Sequence, residues 1–169
     1  MDTLETIKNR QSIRKFDSTP IKKEDVDKIL KAGFEAPSAM NRRPYEFVVC
    51  TKSEFWKEMI TFKSTCAIMA ETPLCILIVG NSNVNPTDEF LIEDCSACAE
   101  NMLLAAKDLG YGSLWAGVKW HSEFYDALIK HFHLPDGYLP IAVLLFGTEA
   151  EKKYQVERFD AKKVHYEVF

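Results

Sequence analysis

The sequence predicts an α+β fold, a sheet of about four strands layered with helices of several lengths, as a single domain over residues 1–169. Three observations carry this. Four short apolar runs, at 47–50, 74–79, 113–118 and 141–146, have the length and β-branched content of strands. A long helical pattern separates the second run from the third. With 47% apolar residues, the chain also suffices for one proper core, and no repeat, low-complexity segment or linker divides it.

In chain order, Asp2 and Glu5 make a capping pair for a short first helix whose apolar face includes Leu4 and Ile7. That helix leads into Arg10, Gln11, Ser12, Ile13, Arg14, Lys15 and Phe16. Val26, Ile29, Leu30 and Gly33 recur with the period of a second helix. It ends near Glu35, because Pro37 disfavours helical geometry at Ala36. Residues 37–44 then form a loop before a strand. The runs at 47–50 and 74–79 are continuously apolar, as expected of strands buried on both faces. Pro86 and Thr87 offer the long helix a start, Asp88 and Glu89 suit its positive end, and Gly110 is placed to stop it. From Cys95 to Leu109 that helix is apolar nearly all round, which makes it the central buried one. A further helix covers about 122–131. After Gly147 the pattern lapses into an extended tail whose Phe159, Tyr166 and Phe169 either fold back on the body or lie across a partner chain. Strand order is not legible in this pattern.

Lys and Arg (21) against Asp and Glu (25) leave a net charge of −4, with both signs mixed along the chain. This gives no electrostatic footprint for nucleic acid or an anionic membrane, so any anion must be bound locally. Residues 1–10 carry four charged side chains and no apolar h-region, and no apolar run approaches the ~20 residues that span a bilayer. A soluble cytoplasmic protein is the expectation. Five cysteines, an odd number in a domain that needs no staples, read as free and mostly buried thiols.

Arg10, Ser12 and Arg14, with Arg158 available from the tail, are a set that can bind a phosphate through guanidinium forks and a hydroxyl. Taken alone, such cations in a short exposed loop are more often simply solvated. Ser38 and Asn41 in the 37–44 loop can bond their own backbone, which is the ordinary chemistry of a turn. Residues 110–113 likewise read as a helix stop and turn, since they lack the Gly-x-Gly-x-x-Gly spacing of a phosphate loop.

Together and in order, these blocks resemble the nitroreductase family. The opening Arg-x-Ser-x-Arg-x-Phe is carried by Arg10, Ser12, Arg14 and Phe16. The second block consists of Ala36, Pro37, Ser38, Asn41, Pro44 and Tyr45. The third runs from Asp94 and Asn101 through Leu103, Leu104, Ala105 and Ala106 to Leu109, Gly110, Gly112 and Ser113, and continues into Trp115, Ala116 and Gly117. Arg158, Phe159 and Asp160, then Val164, His165, Tyr166 and Glu167, look like the family's C-terminal block. The resemblance covers nearly the whole chain.

It implies a sandwich with a central, mostly antiparallel sheet flanked by helices and an extended C-terminal tail. It also implies an FMN-dependent oxidoreductase that moves hydride from NADH or NADPH through flavin N5 to a nitroaromatic, quinone or similar small-molecule acceptor. Arg10, Gln11, Ser12 and Arg158 would hold the phosphate and nearby ribityl oxygens, and Arg14 would lie by the pyrimidine edge, where a positive charge favours the reduced flavin. Pro37, Ser38 and Asn41, with Arg43 beside them, would reach the flavin of the other subunit, while Trp115, Ala116 and Gly117 would face N5. The site would then exist only in a homodimer, with donor and acceptor taking turns in a ping-pong cycle. Gln11 stands where the family often has Arg or His, Arg43 where many members have Gln, and Val156 where some have a phosphate-binding Lys. Few residues separate Gly80 from the long helix, so the excursion that often covers the flavin is reduced. A non-catalytic flavin-binding or regulatory protein and a specialised member acting on one metabolite remain open alternatives.

One motif points elsewhere. Cys95 and Cys98 form a Cys-x-x-Cys pair, but it lies inside a predicted helix rather than at the helix start that would activate a thiol, so core cysteines are expected. His121, His131 and His133 read as surface or capping residues, and no metal ligand set is expected.

Overall fold

The computed structural model describes residues 2–169. Strands β1 (Tyr45–Cys50), β2 (Leu74–Asn81), β3 (Gly112–Gly117) and β4 (Tyr138–Gly147) form an antiparallel sheet in the order β1-β2-β4-β3. The helices are α1 (Thr3–Asn9), α2 (Lys23–Phe34), α3 (Glu54–Glu58), α4 (Cys66–Glu71), α5 (Asp88–Asp108) and α6 (Glu123–Phe132).

Side chains alternate across a strand, and the two cores follow from that. Leu74, Ile76 and Ile78 of β2 join Ala142, Leu144 and Phe146 of β4 in one cluster with residues of α2 and α5. Cys75, Leu77, Val79, Val143 and Leu145 point the other way, into a cluster with residues of α3, α4 and α6. A strand covered on both faces must be apolar throughout, and all eight residues of β2 are buried.

The same expectation is wrong for residues 47–50. β1 is an edge strand, only Tyr45 of its six residues is buried, and Val49 is 45% exposed. Its other apolar side chains are only half buried, Phe47 against one core, where its ring meets that of Phe34 edge-on at 4.9 Å, and Val48 and Cys50 against the other.

α5 starts and stops as expected. Thr87 is its N-cap, and Gly110 adopts φ 89° so that the N–H groups of Gly110 and Tyr111 turn back onto the carbonyls of Lys107 and Ala106. It is not buried all round, however. Leu91, Asp94, Cys95, Cys98, Ala99, Met102, Leu103 and Ala106 are buried, whereas Glu100, Asn101, Leu104 and Ala105 on the other side are half open.

α1 has its cap, the Asp2 carboxylate accepting from Leu4 N at 2.9 Å. Its expected apolar face does not pack in the chain: Leu4 is 75% and Ile7 49% exposed. The tail behaves alike, with Phe159, Tyr166 and Phe169 all exposed rather than folded onto the body. α3 and α4 occupy a stretch whose short segments carry too few periodic residues to be read from sequence. No described helix is long and apolar enough to cross a membrane.

Candidate functional site

Four segments, the tail with Arg158 among them, carry the residues singled out by sequence, and each is shaped by local hydrogen bonding. The chain leaves α1 at Arg10 in extended conformation, and Ile13 N donates to Ser113 O at 2.8 Å beside a bridge between Ser12 and Ser113. Ile13 is thereby buried as a plug, which turns its neighbours Ser12 and Arg14 outward along the edge strand β3. Arg10 Nε lies 3.2 Å from Glu100 Oε1 of α5. Gln11 Nε2 donates to Tyr154 O at 3.4 Å. The Arg14 backbone N–H donates to the Glu151 carboxylate and holds that carboxyl below its ordinary range.

These bonds zip the tail along the N-terminal segment. Gln155 Nε2 continues the series by donating to Lys8 O at 2.9 Å. Arg158 therefore arrives beside Ile7 and Lys8, on the rim of a cleft of about 600 Å³, a helical turn upstream of Arg10. A second cleft of about 300 Å³ takes in Gln11, Ile13, Lys107, Glu149 and Lys153, where Lys107 pairs with Glu149 at 2.9 Å.

The loop after α2 is a tight turn through Ala39–Asn41 in which Met40, Asn41 and Arg43 all have left-handed backbone, at φ 52°, 54° and 50°. Such values are uncommon outside glycine and cost energy. Ser38 Oγ accepts from Arg43 N at 2.8 Å and Asn41 Oδ1 accepts from Arg43 Nε at 3.0 Å. These are the turn-forming bonds that Ser and Asn make in any loop, but both are made with acceptor atoms. The Ser38 hydroxyl proton and the Asn41 amide protons are not used in them. Beneath the turn, Asp94 Oδ1 accepts from Ala39 N at 2.7 Å and Asp94 Oδ2 from Asn85 Nδ2 at 3.0 Å, while Arg42 Nη1 donates to Asn85 Oδ1 at 3.2 Å.

At the end of β3, Trp115 is half buried against the α5 core and Ala116 is buried in the opposite one. Gly117 is exposed, and a Cβ there would meet nothing within 4 Å. Its carbonyl accepts a 2.7 Å hydrogen bond from Lys63 Nζ, whose ammonium also sits 5.4 Å from the Phe124 ring centroid.

The structure thus brings Arg10, Gln11, Ser12 and Arg14 to the sheet edge formed by β3, at its Ser113 end, with Trp115 to Gly117 farther along the same strand. Pro37, Ser38, Asn41 and Arg43 precede β1 at the other edge. Three interstrand spacings, roughly 14 Å, lie between. Along α5 the contrast is similar: Asp94 under the turn and Glu100 beside Arg10 are six residues apart, about 9 Å in rise and roughly 120° in rotation. Lys63 and Asn85 were not legible as site residues. One is a loop cation among many and the other a lone buried amide, and only the folded chain shows what they touch.

Cys95 and Cys98 are both fully buried in the α5 core, and burial pushes the Cys98 thiol up to about 12 and Cys95 further. That is the reverse of an activated redox pair. His133 caps α6 in left-handed conformation and His131 stacks on Phe55 at 3.8 Å, as surface and capping residues do.

Comparison with known proteins gives a consistent result. The family model described as "Nitroreductase family" matches residues 7–61 and 56–148. A curated protein of Methanothermobacter thermautotrophicus, named as an NADH dehydrogenase/NAD(P)H nitroreductase, is 33% identical over 167 residues, 99% of this chain and 87% of that protein. A solved structure of a protein so named from Parabacteroides distasonis superposes with TM-score 0.93 at 31% identity, covering 100% of this chain and 99% of the other. An FMN-dependent nitroreductase from Clostridium difficile superposes with TM-score 0.88 at 30% identity, covering 98% and 99%.

Proposed function

The chain belongs to the nitroreductase family, and from that premise we propose that it is a homodimeric FMN oxidoreductase that passes reducing equivalents from NADH or NADPH to a nitroaromatic, quinone or similar acceptor in a ping-pong cycle. The carrying observation is that Arg10, Ser12 and Arg14 lie along the sheet edge formed by β3, the strand that ends at the exposed Gly117, while the turn at the far edge keeps donor protons of Ser38 and Asn41 outside its own bonds.

The residues present fit FMN. Guanidinium and hydroxyl groups at Arg10, Ser12 and Arg158 suit a phosphate dianion. Arg14 supplies a positive charge for the pyrimidine edge. Ser38 and Asn41 retain donors for flavin oxygens, and Gly117 is exposed, a Cβ there meeting nothing within 4 Å. Lys63 fixes the Gly117 peptide by holding its carbonyl. When bound, the flavin supplies the hydride chemistry at N5, and the protein contributes position and electrostatics.

The two halves lie at opposite edges of one chain, so each site is completed by the turn of a second subunit. That subunit also covers what the single chain leaves open: Leu4, Ile7, the half-open side of α5 and the aromatic tail. Hydride transfer needs close, aligned approach and no side-chain acid or base, which leaves acceptor choice broad. Donor and acceptor share the face over Gly117 and alternate there. Initial velocities with NAD(P)H and a quinone should give parallel double-reciprocal lines, whereas intersecting lines mean a ternary complex and exclude a shared face.

A further inference from the structure

We propose that Asp94 is a positioning residue of the flavin site, a buried carboxylate that holds the 38–43 turn in the shape with which it reaches the flavin bound mainly by the other subunit; this rests on the function proposed above.

The turn is costly to hold. Its three left-handed non-glycine residues are each strained, and such strain persists only where the surroundings over-determine it. Packing does not do so here, since Met40 is 73% exposed and Asn41 and Arg43 are exposed as well. Asp94 supplies the restraint. It is 5% exposed within a helix, a place where an unpaired carboxylate is strongly unfavourable, and both of its oxygens are engaged. Oδ1 takes the Ala39 N–H directly. Oδ2 takes the amide of Asn85, itself fully buried, whose oxygen accepts from Arg42 Nη1 and from Thr87 N at 3.4 Å. The carboxylate is therefore tied to the turn at Ala39 and Arg42, the two residues that bracket Met40 and Asn41. Ser38 and Asn41 owe their placement to these anchors. A lesion at Asp94 consequently damages the site to which its own chain lends the turn, and leaves intact the site to which that chain lends Arg10 and Arg158.

Asp94→Asn keeps the shape but sets one amide against another; adding Asn85→Asp restores a donor–acceptor pair and places a carboxylate beside Arg42. FMN affinity of the apoprotein, measured by flavin fluorescence quenching, should fall about tenfold or more in Asp94→Asn with unchanged far-UV circular dichroism. The exchanged pair should recover to within about threefold of wild type. Mixed dimers of Asp94→Asn with Arg158→Ala subunits should bind one FMN per dimer at wild-type affinity, because one of their two sites combines the intact halves. Arg42→Ala removes only the outer anchor and serves if Asp94→Asn does not fold; weaker FMN binding is again expected. Wild-type affinity in Asp94→Asn or Arg42→Ala, failure of the exchange to restore it, or a mixed dimer without a tight site each overturns the proposal while leaving the flavin reading standing. A wild-type protein that takes up no FMN overturns both.

Discussion

Replacing Cys95 and Cys98 together by alanine separates packing from chemistry in the α5 core. Both thiols are fully buried, and an alanine at each position removes one sulfur with little room to relax. Each sulfur is worth ~1 kcal/mol of transfer free energy. A void of about 20 Å³ adds ~0.5 kcal/mol. The pair should therefore cost about 3 kcal/mol, which in a chain of this length lowers the melting temperature by roughly 6–12 °C. The geometry also predicts a compensation: a Cβ on Gly33 of α2 would lie 3.1 Å from Cys98 Sγ and 3.0 Å from Met102 Cγ and Sδ. Gly33→Ala alone gains about 1 kcal/mol of helix propensity and loses about 1–3 kcal/mol to overpacking. In the Cys98→Ala background the sulfur contact is gone and Met102 can shift, so the two changes should couple favourably by about 0.5–1 kcal/mol. Thermal melts of the four proteins of that cycle measure the coupling, and NAD(P)H oxidation by the FMN-loaded Cys95/Cys98 double mutant should match wild type. Lost turnover with FMN still bound would refute the reading of these thiols as core residues.

Other outcomes follow from the same structure. Burial raises the thiols of Cys50 and Cys66 to about 11 and of Cys98 to about 12, above their unfolded values near 9; this stabilisation is fully present below pH ~8.5 and is lost as pH rises toward 11–12. Urea midpoints should accordingly fall above pH 9, on the order of 1 kcal/mol per thiol per pH unit, and a flat profile from pH 8 to 10.5 contradicts it. Arg14→Ala should lower the flavin potential by tens of millivolts, ~30 mV corresponding to ~1.4 kcal/mol, with little change in FMN affinity. Arg158→Ala should do the reverse, since a phosphate is charged in both redox states, and potentiometry with FMN titration distinguishes the two. Sedimentation should find a dimer; a stable flavin-loaded monomer at micromolar concentration excludes a shared site.

Strand and helix positions were legible because burial dictates periodicity: β2 is apolar at every residue since both of its faces are covered, and Gly110 stops α5 because a left-handed residue is needed there. Edge position was not, because β1 carries valines that a central strand would also carry and only pairing shows that one side is open. Within the site, the blocks containing Arg10, Ser12, Asn41 and Gly117 were visible as ordered motifs. The anchoring of the turn by Asp94, Asn85 and Arg42 was not, since it joins residues more than 40 apart by single hydrogen bonds that leave no period in the sequence. Leu4 and Ile7 read as a packed apolar face and the tail aromatics as either folded back or laid across a partner, and the single chain leaves all of them exposed.

Flavin-mediated transfer is read out by the visible absorbance spectrum of the purified protein reconstituted with FMN, followed anaerobically while NADH or NADPH is added and then a quinone. Flavin should remain with the protein through gel filtration, and its bands should bleach on donor alone and return on acceptor alone. Flavin that elutes free of the protein, or bands that stay unbleached by either nicotinamide, would contradict it.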